Sequence, residues 1–137
     1  MLYIGIDAGT NTGVAVWDDK QKKLLSVESM QLHQALEKVL NLHLTGKICV
    51  IIEDARLRTW YGNDWKQSKQ KLQGVGSVKR DCVIWGEFCK DKKIEHYMQH
   101  PKHNVTKLTA EAFQIVTGYK GRTNEHGRDA AMLVFGR

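Results

Sequence analysis

Leu2-Tyr3-Ile4-Gly5-Ile6-Asp7-Ala8-Gly9-Thr10-Asn11-Thr12-Gly13 carries the reading of the fold. Up to Asp7 the stretch alternates. Leu2, Ile4 and Ile6 fall on one face of a strand, and Tyr3, Gly5 and Asp7 on the other. Ala8-Gly9-Thr10-Asn11 then reads as a turn, because Gly and Asn tolerate positive φ. Gly13–Trp17 resumes as a strand, Asp18–Lys23 is a polar turn, and Leu24–Met30 is a third strand. Three consecutive strands with short turns predict an antiparallel meander.

Beyond the meander the period changes. Leu32, Ala35, Leu36, Val39 and Leu40 recur at helical spacing, and Gly46 stops the run. Lys47–Glu53 is almost continuously apolar, as a strand buried on both faces requires. Residues 54–73 are polar, basic and aromatic without a period. Val75, Val78, Cys82, Trp85 and Cys89 predict a second helix, Ile94–Met98 a short strand, and Val105, Leu108, Ala112, Ile115 and Val116 a third helix closed by Gly118. Glu125–Phe135 is the last helix. The expected fold is α/β: a mixed five-stranded sheet, an antiparallel meander plus two parallel strands, with helices on its faces.

The composition bounds the function. The 137 residues are enough for one domain with a real core, and 1–137 reads as a single unit. No apolar run approaches the roughly 20 residues of a membrane span, and the N-terminus carries no secretory pattern. Cys49, Cys82 and Cys89 are odd in number, widely spaced and without a C-x-x-C, so they read as small buried hydrophobes in a reducing compartment, with a cytoplasmic location expected. The net charge of +6 makes nucleic acid the expected acidic partner.

Three acidic residues sit where such a fold would bring them together. Asp7 ends the first strand and Glu53 the fourth. Parallel neighbours would present both carboxylates at the carboxyl edge of the sheet, where open α/β sheets place their sites. Gly5, on the same face as Asp7, leaves space beside it. In Glu125-His126-Gly127-Arg128-Asp129, His126 and Asp129 are i and i+3 and share a helix face, and Glu125 competes with His126 for the same role. Each acid also has a plainer reading: a turn former or solvated charge, with Asp129 paired to Arg128 or Lys120 and His126 at the surface. Together, carboxylates and a His favour a hard divalent cation, magnesium or manganese. Two such ions about 4 Å apart suit attack of water on a phosphodiester, with Asp7 as the bridging ligand.

These motifs resemble RuvC-type Holliday-junction resolvases of the RNase H-like superfamily. Ile4–Gly13 resembles the opening strand and turn, with Ala8 where the family usually has proline. Ile51-Ile52-Glu53 resembles the second acidic motif, and Gly74-Val75-Gly76-Ser77-Val78 the start of the helix after the junction-contacting loop. His126-x-x-Asp129-Ala130-Ala131 resembles the C-terminal acidic motif, with His126 where many members carry a carboxylate. The resemblance implies a homodimeric endonuclease that nicks four-way DNA junctions with two Mg2+ ions per site, Mn2+ substituting. Asp7, Glu53, His126 and Asp129 would be its catalytic and metal-binding residues. It also implies a lysine near the scissile phosphate, for which Lys102 and Lys107 are the candidates.

The remaining DNA-binding candidates come from the residues themselves. Arg56, Arg58, Trp60, Tyr61, Trp65, Lys66, Lys69 and Lys71 interleave cations with aromatics, the pattern of a segment that holds phosphates and stacks on unpaired bases. The tryptophans and tyrosine there could equally pack under the loop or form a dimer contact. Lys79 and Arg80 read as opening a helix, where positive charge opposes the macrodipole and an external anion would serve them. Two other classes compete: a non-catalytic branched-DNA binder on the same fold, and an actin-like ATPase, which needs a second domain that 137 residues do not accommodate.

Overall fold

A computed structural model describes residues 1–57, 69–104 and 107–137, without the side chains of 69–72 and 102. The alternating N-terminal stretch forms β1 (Leu2–Asp7), β2 (Thr12–Asp18) and β3 (Lys23–Met30), followed by α1 (Leu32–Thr45), β4 (Ile48–Glu53), α2 (Lys69–Asp91), β5 (Glu95–Gln99), α3 (Ala110–Thr117) and α4 (Glu125–Val134). Short 3-10 turns lie at Ala55–Leu57 and Pro101–His103. The sheet order is β3-β2-β1-β4-β5. β1 is antiparallel to β2 and parallel to β4, and β4 is parallel to β5. The mixed five-stranded sheet expected from the strand patterns is thus present.

Strand alternation sorts the core into two layers. Ile4, Ile6, Val14, Val16, Val50 and Ile52 face Ala35 and Val39 of α1 and Cys82, Trp85 and Cys89 of α2. Ala15, Trp17, Cys49 and Ile51 face Phe113 of α3 and Ala130, Ala131, Leu133 and Val134 of α4. Cys49, Cys82 and Cys89 are free and buried, as their apolar setting predicts. Trp17 and Trp85 are both core residues. The Trp17 Nε1–H donates to the Arg137 carbonyl at 3.1 Å.

Two helices differ from the periodic reading. α3 starts at Ala110, capped by Thr109, whose hydroxyl accepts from the Ala112 N–H. A stripe counted from Val105 is therefore out of phase with the real helix. Ile115 is 84% exposed and Val116 51%, while Phe113 is the buried anchor. Val105 lies outside the described residues. α2 begins at Lys69, so Lys79 and Arg80 sit well inside it and not in its first turn. Their charges do not oppose the N-terminal end of the dipole, an effect confined to the first turn. That part of the case for an external anion falls away.

Candidate active site

β1 and β4 run side by side in register, with Gly5 opposite Ile51 and Ile6 opposite Ile52. The next residue on each strand, Asp7 and Glu53, therefore emerges at the same carboxyl edge. The other two candidates come from α4. Its N-cap is Asn124, whose side-chain oxygen accepts from the Gly127 N–H at 2.9 Å. Asn124 also hydrogen-bonds Ser29 of β3, which ties the helix start to the meander.

Glycines allow α4 to lie against the sheet. A Cβ on Gly5 would fall 2.0 Å from the Ala130 carbonyl oxygen, and one on Gly13 2.0 Å from that of His126. On the helix side, a Cβ on Gly127 would sit 3.1 Å from the Glu28 carbonyl oxygen. At Gly5 and Gly13 only a hydrogen atom lets the two backbones approach so closely, whereas at Gly127 a side chain would need its neighbours to give by a few tenths of an ångström. The space beside Asp7 that Gly5 leaves is filled by the α4 backbone itself.

The close approach brings His126 to Asp7. Its Nδ1 lies 3.2 Å from Asp7 Oδ2. Asp7, Glu53, His126, Asp129, Glu125 and Lys107 all line one cleft of about 430 Å³, with the Ala8–Asn11 turn on its wall. Thr12, fully buried, closes that turn by donating its hydroxyl to the Gly9 carbonyl at 3.0 Å. The Asp7 carboxyl is pushed up to about 7. Burial is the main cause; the charges of Glu53 and Asp129 add to it, and the His126 hydrogen bond and charge oppose it.

Asp129 is not held by Arg128 or Lys120: no ion pair joins it to either among the described residues. Its Oδ1 accepts the Lys107 backbone N–H at 2.9 Å. Arg128 turns away and donates to the Leu108 carbonyl at 2.8 Å and to Thr123 at 3.1 Å.

Oxygen donors with one imidazole are the donor set that magnesium or manganese takes, so in kind these residues fit such a cation. Among the described residues, no three His, Cys, Asp or Glu side chains already enclose one cation position. The fit is one of composition and of a shared cleft, not of a closed cage.

Sequence patterns did not reveal the role of Asp54, the residue after Glu53. Asp54 is buried, and its carboxylate accepts from the Arg56 backbone N–H at 3.0 Å and from the Arg56 side chain at 2.9 and 2.8 Å. Burial pushes the Asp54 carboxyl up, but the Arg56 hydrogen bonds and charge outweigh it and hold the group below the ordinary carboxylate range. An Asp two residues before an Arg after a strand end is the only signal, that of a local turn. Arg56 is therefore already engaged, with its side chain 42% exposed.

The other basic candidates divide by position. Lys107 is exposed and lines the cleft, Lys79 is half-buried and Arg80 is exposed. Arg58, Trp60, Tyr61, Trp65 and Lys66 lie outside the described residues, as do the side chains of Lys69, Lys71 and Lys102. No helix among the described residues is long and apolar enough to cross a membrane.

Comparison with solved structures bears on this arrangement. RuvC from T. thermophilus, solved in complex with a Holliday junction substrate, superposes with a TM-score of 0.61 over 97% of this chain and 90% of its own. The fold is RNase H-like. Identity over the match is 17%, so the likeness is one of fold. No protein-family model matches the chain, and no curated protein does.

Proposed function

We propose that this chain is a structure-selective, divalent-metal-dependent endonuclease that resolves four-way (Holliday) DNA junctions. It would act as one nuclease domain over 1–137, as a homodimer, in the cytoplasm. One observation carries the reading. Asp7, Glu53, His126 and Asp129, from two parallel strand ends and one helix, line a single cleft in which Asp7 is half-buried beside other acids. The fold match to a junction-bound RuvC supports the choice of DNA substrate.

Asp7 would be the central ligand, flanked by Glu53 and Asp129, with His126 as the fourth member. Two magnesium ions held there would activate the attacking water and stabilise the leaving oxygen of the phosphodiester. The chain's own residues do the rest. His126, by its hydrogen bond, lowers the proton affinity of Asp7 and so favours the ionised form that binds a cation. Lys107, with Arg80 and Lys79 on α2, supplies positive charge for the DNA backbone. A twofold dimer would present two such clefts for paired incisions.

The test is a nicking assay on a synthetic four-way junction against linear duplex, with and without magnesium. Selective, magnesium-dependent nicking is expected. The absence of a closed ligand cage among the described residues favours one second reading, a branched-DNA binder without catalysis. A protein that shifts junctions but never nicks them with magnesium or manganese would establish it.

Metal binding has its own readout. Magnesium that binds the folded chain alone raises its melting temperature. That shift is expected to fade as pH falls through about 7, where Asp7 takes up a proton. In His126→Ala the opposing hydrogen bond and charge are gone, so the Asp7 carboxyl rises further and the shift fades at a higher pH. Scanning calorimetry across pH checks this. An unchanged midpoint in His126→Ala would show that the imidazole does not govern Asp7.

A further inference from the structure

We propose that Arg128 is a positioning residue that, with Asp129, clamps the backbone of Lys107 and Leu108 and so sets where Lys107 stands in the cleft. The role assigned to Lys107 rests on the nuclease reading; the clamp itself does not.

Consecutive residues of α4 grip consecutive residues of the segment before α3. The Asp129 carboxylate accepts the Lys107 N–H at 2.9 Å, and the Arg128 Nε–H donates to the Leu108 carbonyl at 2.8 Å. A donor and an acceptor of the same short stretch are therefore both held by charged groups, the stronger kind of hydrogen bond. The Arg128 Nη1 also donates to the Thr123 carbonyl and hydroxyl, both at 3.1 Å. Thr123 immediately precedes the Asn124 cap of α4, so one planar guanidinium braces the Lys107–Leu108 segment against the start of the helix that carries His126. Lysine offers no such fork.

The backbone at the gripped position is strained. Lys107 has φ 59°, in the left-handed region that non-glycine residues rarely occupy. Lys22 and Lys93 also have positive φ, but neither lines the cleft. Such a conformation persists only where its surroundings hold it. The two side chains of α4 provide that hold. Asp129 thereby faces two ways: one oxygen is committed to Lys107 while the residue lines the acidic cleft. An Arg–Asp pair on adjacent helix positions, which reads in sequence as a local ion pair, instead acts outward on a segment about twenty residues away.

The test uses the full chain carrying Arg128→Lys, Lys107→Ala or both, with Thr123→Val as a milder variant that loosens the same guanidinium. In metal-free protein, hydrogen exchange at the Lys107 amide is expected to quicken about tenfold in Arg128→Lys. A smaller change of the same sign is expected in Thr123→Val. Arg128→Lys and Lys107→Ala should each weaken metal-free binding of a four-way junction by about three- to tenfold, and the double variant no further than the worse single one. Under magnesium, the cleavage rate of the double variant should likewise match Lys107→Ala. Two results would overturn the proposal: Lys107 amide exchange unchanged in both variants, or binding losses that multiply in the double variant. Failure of the parent chain to nick any junction would sink the nuclease reading, and amide exchange and metal-free binding would still decide the clamp.

Discussion

Asp7→Asn is expected to abolish cleavage and, in metal-free protein at pH 8, to raise the melting temperature. If Asp7 is the central ligand, as proposed, its loss would remove several kcal/mol of transition-state stabilisation. At about 1.4 kcal/mol per factor of ten, that is on the order of a thousandfold or more in rate. Junction binding should survive, because it depends on basic side chains that the substitution leaves alone. The stability gain follows from the raised Asp7 carboxyl. Its folded value of about 7 lies above the ordinary 3.8, so the folded chain holds this proton more tightly than the unfolded one does. That contribution is fully present below pH 3.8 and is lost as pH rises through about 7.

Above that window the wild-type chain holds a half-buried ionised carboxylate near Glu53 and Asp129, and a neutral Asn does not. The upper limit of the gain is about 4 kcal/mol, from about three pKa units at about 1.4 kcal/mol each. The Asp7 side chain is 19% exposed, which reduces the gain. Calorimetry should show the advantage of Asp7→Asn at pH 8 narrowing as pH falls toward 4. A variant that cleaves as fast as the parent removes Asp7 from the centre of the mechanism. One that melts below the parent at pH 8 shows that its charge is not the source of strain. Loss of function with gain of stability at one position is expected of an active site.

Gly5→Ala is expected to be, with Gly13→Ala, among the most damaging small substitutions in the sheet. The new Cβ would lie 2.0 Å from the Ala130 carbonyl oxygen and 2.9 Å from its carbon. Both are helix backbone, so α4 must retreat. Overpacking of this kind costs about 1–3 kcal/mol, and more when backbone must move. Reduced chain entropy in the unfolded state returns only about 0.5–1 kcal/mol. With helix backbone forced to move, the overpacking cost lies at or above the top of its range, so the net loss is about 2–3 kcal/mol, which lowers the melting temperature by about 10 °C for a chain of this size.

Cleavage should fall further than stability, because the displaced helix carries His126 and Asp129. Gly86→Ala is the matched control. Gly86 lies inside α2 with nothing within 4 Å of its would-be Cβ. There the helix propensity of Ala gains about 1 kcal/mol, and the melting temperature should rise by about 3 °C. Thermal melts followed by circular dichroism separate the two. Equal melting temperatures for Gly5→Ala and the parent would mean that α4 does not rest on β1 at backbone contact.

These substitutions also mark where local pattern stops being informative. Leu2, Ile4 and Ile6 against Tyr3, Gly5 and Asp7 is a period-two signal, and each face packs as that signal requires. Asp7 and Glu53 were legible as partners because each ends an apolar strand, and a helix between those strands makes them parallel. His126 and Asp129 were legible as co-facial from spacing alone. The α3 stripe failed because a helical count depends on its starting residue, and the Thr109 cap puts that residue at Ala110, five places past Val105. The start of α2 failed because residues 54–73 carry no apolar period to announce it. Asp54–Arg56 shows in the sequence only as a local turn, and Arg128–Leu108 not at all, because a charged residue on a surface helix and one in a hydrogen-bonded clamp look the same in a chain of letters.

Periodicity and turn chemistry, which act between near neighbours, were enough to set the strands, their order of appearance, the two-layered core and the acids that could share an edge. The sheet's meeting with α4 is another matter. His126 and Asp7 stand 119 positions apart, and their 3.2 Å contact exists because Gly5 and Gly13 let a helix backbone rest on the sheet. Distances of that kind depend on how two surfaces pack, and no stretch of chain contains both surfaces.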